Sequence, residues 1–412
     1  MNILVLHRVR YLDILYHKAI DHQANDVYYI GIEEKIAELP EDLRCTKIVR
    51  PGIEAPYKEV IAAVEPLGVK FDHVISVNEF ELIDAAYIRQ HFDIAGPRPE
   101  QVEKVRNKVV MKSCVERHNI KVPQYMSLSQ FVEGQSLAVD AEQSIILKPL
   151  DGASSVDVVH FSSQQALRDA LQSKTTGVES LDKAEQIDPS GFQVETYIEG
   201  PILHIDGMVR DGVIEMLVPS EYINTPLDFA NGIPLGSIQF ESTAELTAWV
   251  GIILKAVEIS LGAFHLEAIR SSQGLVFLEI AHRVGGGGIT ECLARRTGMH
   301  PATAELGLLT DANFSLDSQW DKQHLYGFVI VPGHQLAGDY CQVSGHEFLH
   351  DSGNLISMHQ LVTDSKVSRV VTYKENELPL ACLLKAKDTQ RLRDVVGRLF
   401  EQLEIRTSKT PF

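Results

Sequence analysis

The stretch FHLEAIRSSQGLVFLEIAHRVGGGG, residues 264–288, decides the fold of this chain. Two apolar runs, Phe264–Ile269 and Leu275–Ile280, are joined by Ser-Ser-Gln-Gly, a sequence typical of a hairpin turn. Each run carries one glutamate, Glu267 and Glu279, and the 12 positions that separate them cross this single turn. The spacing therefore predicts that both carboxylates lie on the same side of two adjacent strands.

Two carboxylates on one buried face repel each other, and they are costly unless a cation joins them. Oxygen ligation by two glutamates suits Mg²⁺. Arg283 and the glycine run Gly285–Gly288 follow, ahead of a helix that begins near Thr290. A guanidinium beside a helix N-terminus is typical of an anion site, and glycines let a ligand approach the backbone. The alternatives are that one acid pairs with Arg270 or Arg283 and that the glycines form only a flexible turn.

Two lysines farther upstream add to this pattern. Lys148 ends an apolar strand and precedes a small-residue loop that holds Ser154 and Ser155. A lysine in that position can reach phosphate groups, and the loop can close over them. Lys108 falls in a helical pattern that runs from Glu100 to about His118, where by itself it would be a solvated surface lysine.

The composition excludes several classes of protein. The chain has 412 residues, of which 44% are hydrophobic and 23% charged, as in an ordinary globular protein. Its net charge of −18 predicts a surface that repels nucleic acid and anionic membranes. No run approaches the roughly 20 apolar residues of a membrane span. Five widely separated cysteines fit a reducing compartment, so we expect a cytoplasmic protein.

Residues 1–97 alternate strand and helix patterns, which indicates a parallel α/β sheet. The strand candidates are Ile3–Leu6, Val27–Ile30, Lys47–Val49 and His73–Val77. Neither a Walker A loop nor a GxGxxG fingerprint is present, so this region is not an obvious nucleotide-binding domain of those kinds.

The order of these motifs resembles the ATP-grasp superfamily. The resemblance rests on Asn107-Lys108, Lys148-Pro149, the segment 194–200 (VETYIEG), and the E-x-A-x-R pattern of Glu279–Arg283 with its glycine run. The chain is most similar to carboxylate–amine ligases, especially the L-amino-acid ligases that make dipeptides for peptide antibiotics. The implied fold is α/β and α+β multidomain: an N-terminal parallel α/β domain (1–97), a helical linker (98–122), a small lid domain (123–202), a larger catalytic domain (203–310) and a β-rich C-terminal subdomain (311–412).

The resemblance also implies which residues bind ATP. The expected ligands are Lys108 and Lys148 on the phosphates, Ser154 and Ser155 in a phosphate loop, Glu195 on the adenine amino group, and the backbone of Thr196 and Ile198 on the ring edge. Ile202 replaces the acid that binds ribose in many relatives, and we expect His204 to take this role, with Glu199 as the alternative.

Glu267 and Glu279 are the implied ligands of Mg²⁺, for which Mn²⁺ could substitute, and Arg283 is the implied catalytic residue. Ala281 replaces the usual third ligand, an asparagine. A glutamate from the N-terminal domain can complete the site in dipeptide-forming ligases, and Glu79 is our candidate, with Glu81 second.

The implied reaction is amide formation between an L-amino acid, or its N-acyl derivative, and a second amino acid through an acyl-phosphate. We expect no nucleic-acid or membrane partner, and dimerisation is an expectation from the resemblance alone. The alternatives are a purine-pathway or biotin-carboxylase-like enzyme, a non-catalytic nucleotide-binding protein, and a zinc protease suggested by the HExxH match His346–His350.

Overall fold

The computed structural model describes residues 1–316 and 319–412. The strands are β1 (Asn2–Leu6), β2 (Asp26–Gly31), β3 (Thr46–Val49), β4 (His73–Ile75), β5 (Tyr125–Ser127), β6 (Ile145–Pro149), β7 (Val159–Phe161), β8 (Phe192–Thr196), β9 (Ile202–Arg210), β10 (Val213–Ile223), β11 (Leu235–Gln239), β12 (Gly262–Ser271), β13 (Gly274–Ala281), β14 (Leu325–Val331), β15 (Tyr340–Ser344), β16 (Leu355–Gln360), β17 (Leu380–Ala386) and β18 (Glu404–Ser408).

The α-helices are α1 (Tyr11–Ile14), α2 (Glu33–Ala37), α3 (Pro56–Val64), α4 (Leu82–His91), α5 (Pro99–Arg106), α6 (Lys108–Glu116), α7 (Leu128–Val132), α8 (Gln164–Ser173), α9 (Glu179–Asp182), α10 (Pro226–Ala230), α11 (Ala244–Ala256), α12 (Gly288–Thr297), α13 (Pro301–Thr310), α14 (Phe348–Asp351) and α15 (Thr389–Gln402). None of the helices in the described residues has both the length and the apolar character needed to cross a lipid bilayer.

The N-terminal region forms a parallel sheet in the order β3-β2-β1-β4, which confirms the expected α/β architecture. Ile3, Leu4 and Val5 of β1 are almost completely buried because helices and loops cover both faces. The carboxyl ends of all these strands lie at one edge, as parallel pairing requires. A short 3₁₀ turn, Glu79–Glu81, follows β4 at that edge.

A small antiparallel sheet, β5-β8-β6-β7, lies within the expected lid region. Its strands β6 and β8 are apolar on the face that packs against α8, where Leu167 and Leu171 are buried. The opposite face carries Lys148 on β6 and Glu195 on β8. The small sheet therefore presents charged side chains on the side away from its own core.

A central sheet of eight strands follows the order β13-β12-β9-β10-β11-β14-β17-β16. Five of these strands precede residue 310 and three follow it, so the expected boundary between 203–310 and 311–412 does not separate two sheets. Helices α6 and α11 bury Val115 and Val250 against the first half of the sheet. Helix α15 buries Val396 and Leu399 against the second half.

The single helix expected over residues 100–118 is wrong. Asn107 leaves the helical conformation (φ −86°, ψ 110°) and divides the segment into α5 and α6. Its side-chain oxygen accepts hydrogen bonds from the backbone N–H groups of Val109 (3.1 Å) and Val110 (3.2 Å). An asparagine that caps the second helix therefore competes with continuation of the first, and it fixes Lys108 in the first turn of α6.

The cap at Asn107 predicts a stability effect. Asn107→Ala removes the acceptor for two N–H groups at the start of α6, so the free energy of unfolding should fall by about 1 kcal/mol. Asn107→Asp keeps a capping oxygen and is the matched control. Urea denaturation followed by circular dichroism measures both variants, and equal stability of the alanine variant and the wild type would contradict the capping role.

Candidate functional site

The acidic pair lies where the sequence predicted it. Glu267 on β12 pairs directly opposite Glu279 on β13, so both side chains occupy the same face of the central sheet. The register shifts beside this pair because Leu278 has no residue opposite it, a bulge of the kind that redirects side chains. Neither acid pairs with Arg270 or Arg283 among the described ion pairs, since Arg270 binds Glu221 and Arg283 binds Glu79.

Cations from two other elements meet this acidic pair. Lys108 Nζ lies 3.3 Å from Glu279 Oε2 and donates a hydrogen bond to the carbonyl oxygen of Gly152 at 2.7 Å. Burial opposes ionisation of Glu279, but Lys108 and Lys148 outweigh it and hold its pKa well below the usual range. Burial likewise opposes the charge on Lys148, but nearby glutamates raise its pKa. The site therefore keeps its charges in a buried environment.

A second buried cation, Lys112, was missed by sequence reasoning. Its Nζ lies 2.9 Å from Glu195 Oε2, while Lys148 Nζ lies 2.6 Å from Glu195 Oε1. The side chain of Lys112 is completely buried, and this burial lowers its pKa to about 8 despite the neighbouring carboxylate. The sequence spacing could have pointed to Lys112, because Lys108 and Lys112 are four residues apart and therefore share one helix face.

A cleft of about 580 Å³ separates the small sheet from the central sheet. This volume is typical of a site for a small organic ligand. Seven expected nucleotide ligands line the cleft: Lys108, Lys148, Ser154, Ser155, Glu195, Thr196 and Ile198. Ser154 (φ 61°) and Ser155 (φ 55°) adopt the left-handed conformation, which gives their loop a tight turn at the mouth of the cleft.

The end of the cleft where the adenine is expected is rich in internal contacts. Both oxygens of Glu195 contact lysines, and Gln193 Nε2 also donates to Glu195 Oε2 at 2.9 Å. The backbone N–H of Thr196 donates to the carbonyl of Gln124 at 2.9 Å. If Glu195 and Thr196 bind the adenine as expected, their oxygen atoms must accept further hydrogen bonds in addition to these contacts.

His204 does not line the cleft, and the expected ribose role does not fit its surroundings. Its side chain is 2% exposed, with Nδ1 2.6 Å from Asp206 Oδ2 and Nε2 2.7 Å from Ser237 Oγ. The ring of Tyr222 covers it at a centroid distance of 4.6 Å. Both ring nitrogens are thus occupied, and a ligand in the cleft cannot reach them.

His204 instead belongs to a buried network centred on Asp206. His265 Nδ1 lies 2.8 Å from Asp206 Oδ1, and His265 Nε2 lies 3.6 Å from Glu267 Oε1. Burial disfavours the charged imidazole of His265, yet Asp206 and Glu267 raise its pKa to about 10. In the described part of the chain, three potential metal-ligating side chains come together only at His204, Asp206 and His265.

Glu79 reaches the site from the N-terminal domain, but its oxygens are engaged by arginines. Oε2 accepts a hydrogen bond from Arg283 Nε at 2.7 Å, and Oε1 contacts Arg106 Nη1. The expected role of Glu79 as third metal ligand therefore competes with this ion-pair triad, in which the carboxylate orients Arg283. Arg106 is a further residue that sequence reasoning did not select.

A second cavity, of about 170 Å³, adjoins the cleft on the side of Arg283. Lys108, Glu267 and Glu279 line both spaces. The glycine run forms one wall and is ordered by packing: a Cβ added at Gly288 would lie 2.5 Å from the ring of Phe328. The run ends at the start of α12, whose N-terminus therefore faces this cavity.

The HExxH match does not form the long helix that a zinc protease requires. Helix α14 has only four residues, and His346 precedes it. His346 is buried, whereas His350 is exposed. The structure does not favour the protease alternative.

The buried contacts of Lys112 predict a large cost of removal. Lys112→Met leaves the Glu195 carboxylate buried with one lysine fewer, so the free energy of unfolding should fall by about 3 kcal/mol. Lys255→Met, at an exposed position on α11, is the control and should differ little from the wild type. Urea titration measures both, and a fully stable Lys112 variant would show that the pair contributes nothing to folding.

Comparison with known proteins supports the same interpretation. Residues 141–291 match the family model described as an ATP-grasp domain. A curated relative, the L-arginine-specific L-amino acid ligase of Bacillus subtilis, is 27% identical over 254 residues. This match covers 60% of the present chain and 60% of the relative.

Solved structures extend the likeness of fold over nearly the whole chain. The L-amino acid ligase from Bacillus licheniformis superposes with a TM-score of 0.71 at 17% identity, covering 99% of this chain and 98% of that one. The phosphoribosylglycinamide synthetase from Anaerococcus prevotii gives 0.62 at 13% identity, with 99% of each chain covered. Residues 141–291 thus match an ATP-grasp domain in sequence, and nearly the whole chain shares its fold with these ligases and synthetases.

Proposed function

We propose that this protein is an ATP- and Mg²⁺-dependent carboxylate–amine ligase that joins an L-amino acid, or its N-acyl derivative, to the amine of a second amino acid. One observation carries the proposal: the cleft and the smaller cavity meet at Glu267 and Glu279, with lysines on one side and Arg283 on the other. Such a junction suits phosphoryl transfer from a nucleotide to a second substrate. The names of the amino acid ligases among the relatives favour amino acids as that substrate.

The donor set at the junction fits a hard divalent cation. Glu267 has only long contacts, 3.4 Å to the Tyr222 hydroxyl and 3.6 Å to His265 Nε2, and so retains capacity to bind an ion. Glu279 stands opposite it and is ionised. Mg²⁺ held by these two carboxylates would supply charge neutralisation to the phosphates of ATP.

The residues of the cleft account for the first half of the reaction. Lys108 and Lys148 hold the phosphates in place, while Ser154 and Ser155 cover them with backbone N–H groups and exclude water. A carboxylate oxygen of the donor attacks the γ-phosphorus, the bond to the β-phosphate oxygen breaks, and ADP leaves. The product of this step is an acyl-phosphate.

Arg283 and the glycine run account for the second half. The amine of the acceptor attacks the acyl carbon, and the guanidinium of Arg283 stabilises the oxyanion that forms there. Collapse of this intermediate expels phosphate, and the nitrogen loses a proton to give the amide. Glu79 keeps Arg283 oriented toward the cavity through the contacts at Nε and Nη2, both 2.7 Å.

The purine-pathway alternative has support from fold alone, since the synthetase from Anaerococcus prevotii is only 13% identical. The curated amino acid ligase has the higher identity, 27%. We therefore favour amino acid substrates; the aligned part spans 60% of that relative.

The acidic pair predicts loss of ATP turnover on neutralisation. Glu279→Gln keeps the shape of the side chain but removes a metal-binding charge, so ADP release should fall at least about 100-fold. Glu215→Gln, an exposed glutamate on β10, is the matched control. A coupled ADP assay with saturating Mg²⁺ measures both, and turnover like that of the wild type in the Glu279 variant would refute the metal assignment.

The position of Arg283 predicts that its substitution lowers kcat without weakening ATP binding. Arg283→Lys keeps the charge but loses the two-point contact with Glu79, so kcat should fall about 100-fold while ATP still protects against thermal unfolding. Arg295→Lys, exposed on α12, is the control. Loss of ATP protection together with kcat would assign Arg283 to nucleotide binding instead.

A further inference from the structure

The smaller cavity has one polar end and one apolar end. Arg283 and the acidic pair lie at the polar end, next to the phosphate end of the cleft. The apolar end is formed by Leu235, Ile289 and Phe328, which belong to one hydrophobic cluster with Tyr222, and by Tyr373, which packs against that cluster. The Tyr222 hydroxyl lies 3.4 Å from Glu267 Oε1, at the border with the polar end. A substrate carboxylate at the polar end would therefore direct its side chain onto an apolar surface.

The central residues of this apolar wall are buried in the core. Leu235, Ile289 and Phe328 are 1%, 6% and 5% exposed and come from three different elements, β11, α12 and β14. Phe328 packs directly against Gly288, and Tyr373 lies against Gly287. The same glycine run thus shapes both the oxyanion site and the pocket for the side chain.

The carboxylates around the cavity leave no partner for a cationic side chain. Glu79 is bound by Arg106 and Arg283, and Glu279 is bound by Lys108. Glu267 contacts His265 and Tyr222 and stands in the proposed metal site. Among the described lining residues, Glu79 and Glu279 are therefore paired and Glu267 is reserved for the proposed metal ion, so a cationic substrate side chain would be buried without a partner, which is costly.

An anionic side chain would meet the same difficulty. Arg106 and Arg283 share the carboxylate of Glu79, and Arg283 also serves the reacting carboxyl group that every donor carries. Lys108 is paired with Glu279, and His265 is paired with Asp206. The volume adds a limit on size, because the cavity has about 170 Å³ and an apolar cavity of about 150 Å³ accommodates a benzene ring. The charges and the volume of the cavity thus both favour a small, uncharged substrate side chain.

We propose that the carboxylate donor is an L-amino acid with a compact, uncharged side chain, aliphatic, thioether or a single aromatic ring. The inference rests on the proposed ligase function and names the donor of that site. It separates this chain from a relative whose name specifies L-arginine. The apolar wall determines the choice, since the polar end serves the groups that all amino acids share.

The test measures donors without requiring the natural acceptor. The full-length protein is incubated with ATP, Mg²⁺, hydroxylamine and each of the common L-amino acids, and an acyl-phosphate is trapped as its hydroxamate with release of phosphate. Parallel reactions use L-alanine as the amine. Leucine, methionine, valine or phenylalanine should give kcat/KM values at least tenfold above those of arginine, lysine, aspartate and glutamate.

The two proposals fail in different ways. A charged donor that equals or exceeds the best apolar donor would overturn the inference and leave the ligase function intact. Absence of both ADP and hydroxamate with every amino acid, and with the N-acetyl derivative of each, would overturn the proposed function, and the inference with it.

Substitutions in the wall test the pocket itself. Tyr373→Ala, in a loop, and Ile289→Ala, in the first turn of α12, should each raise the kcat/KM ratio of tryptophan to valine about tenfold. Tyr57→Ala, a partly buried tyrosine of the N-terminal domain, is the matched control and should leave the ratio unchanged. An unchanged ratio in both wall variants, with melting temperatures that show folded protein, would place the donor side chain elsewhere.

Discussion

Glu267 and Glu279 stand opposite each other on paired strands, and the repulsion between them is the constraint to which the rest of the site responds. Two unit charges roughly 6 Å apart repel by about 3 kcal/mol at an effective dielectric constant of 20. Lys108 of α6 contacts Glu279 directly, and the positive charge of Lys148, on the small sheet, also lowers the pKa of Glu279. The β12–β13 hairpin, α6 and the small sheet must therefore come together before the repulsion within the pair is compensated. Formation of the site thus depends on formation of the fold.

The same coupling links the N-terminal domain to the central sheet. Glu79 follows the last strand of the parallel sheet, and its carboxylate joins Arg106 of α5 to Arg283 beyond β13. An ion-pair triad that joins three segments is costly to desolvate, so it adds little net stability. Its main effect is to fix the orientation of the side chains that it joins. Here it orients the guanidinium of Arg283, which lines the smaller cavity.

Much of this arrangement could be predicted from local pattern. Period-two runs predicted β12 and β13, their short turn fixed the register, and the register placed the two glutamates together. Contacts between distant segments were beyond such reasoning. Nothing local distinguishes His204, hidden behind Tyr222, from a histidine that faces a ligand. Asn107 interrupts a continuous helical pattern because its side chain caps a new helix. Hydrophobic periodicity alone does not show whether such a residue continues one helix or starts another.

Strand pairing is likewise not readable from segment order, and the central sheet contains strands from both sides of the expected boundary at residue 310. β11 pairs with β10 on one side and with β14 on the other. A chain shortened to its first 310 residues would expose the backbone of β11 along a free edge. Such an edge is a template for strands of other molecules, so the final hundred residues also protect the central sheet from aggregation.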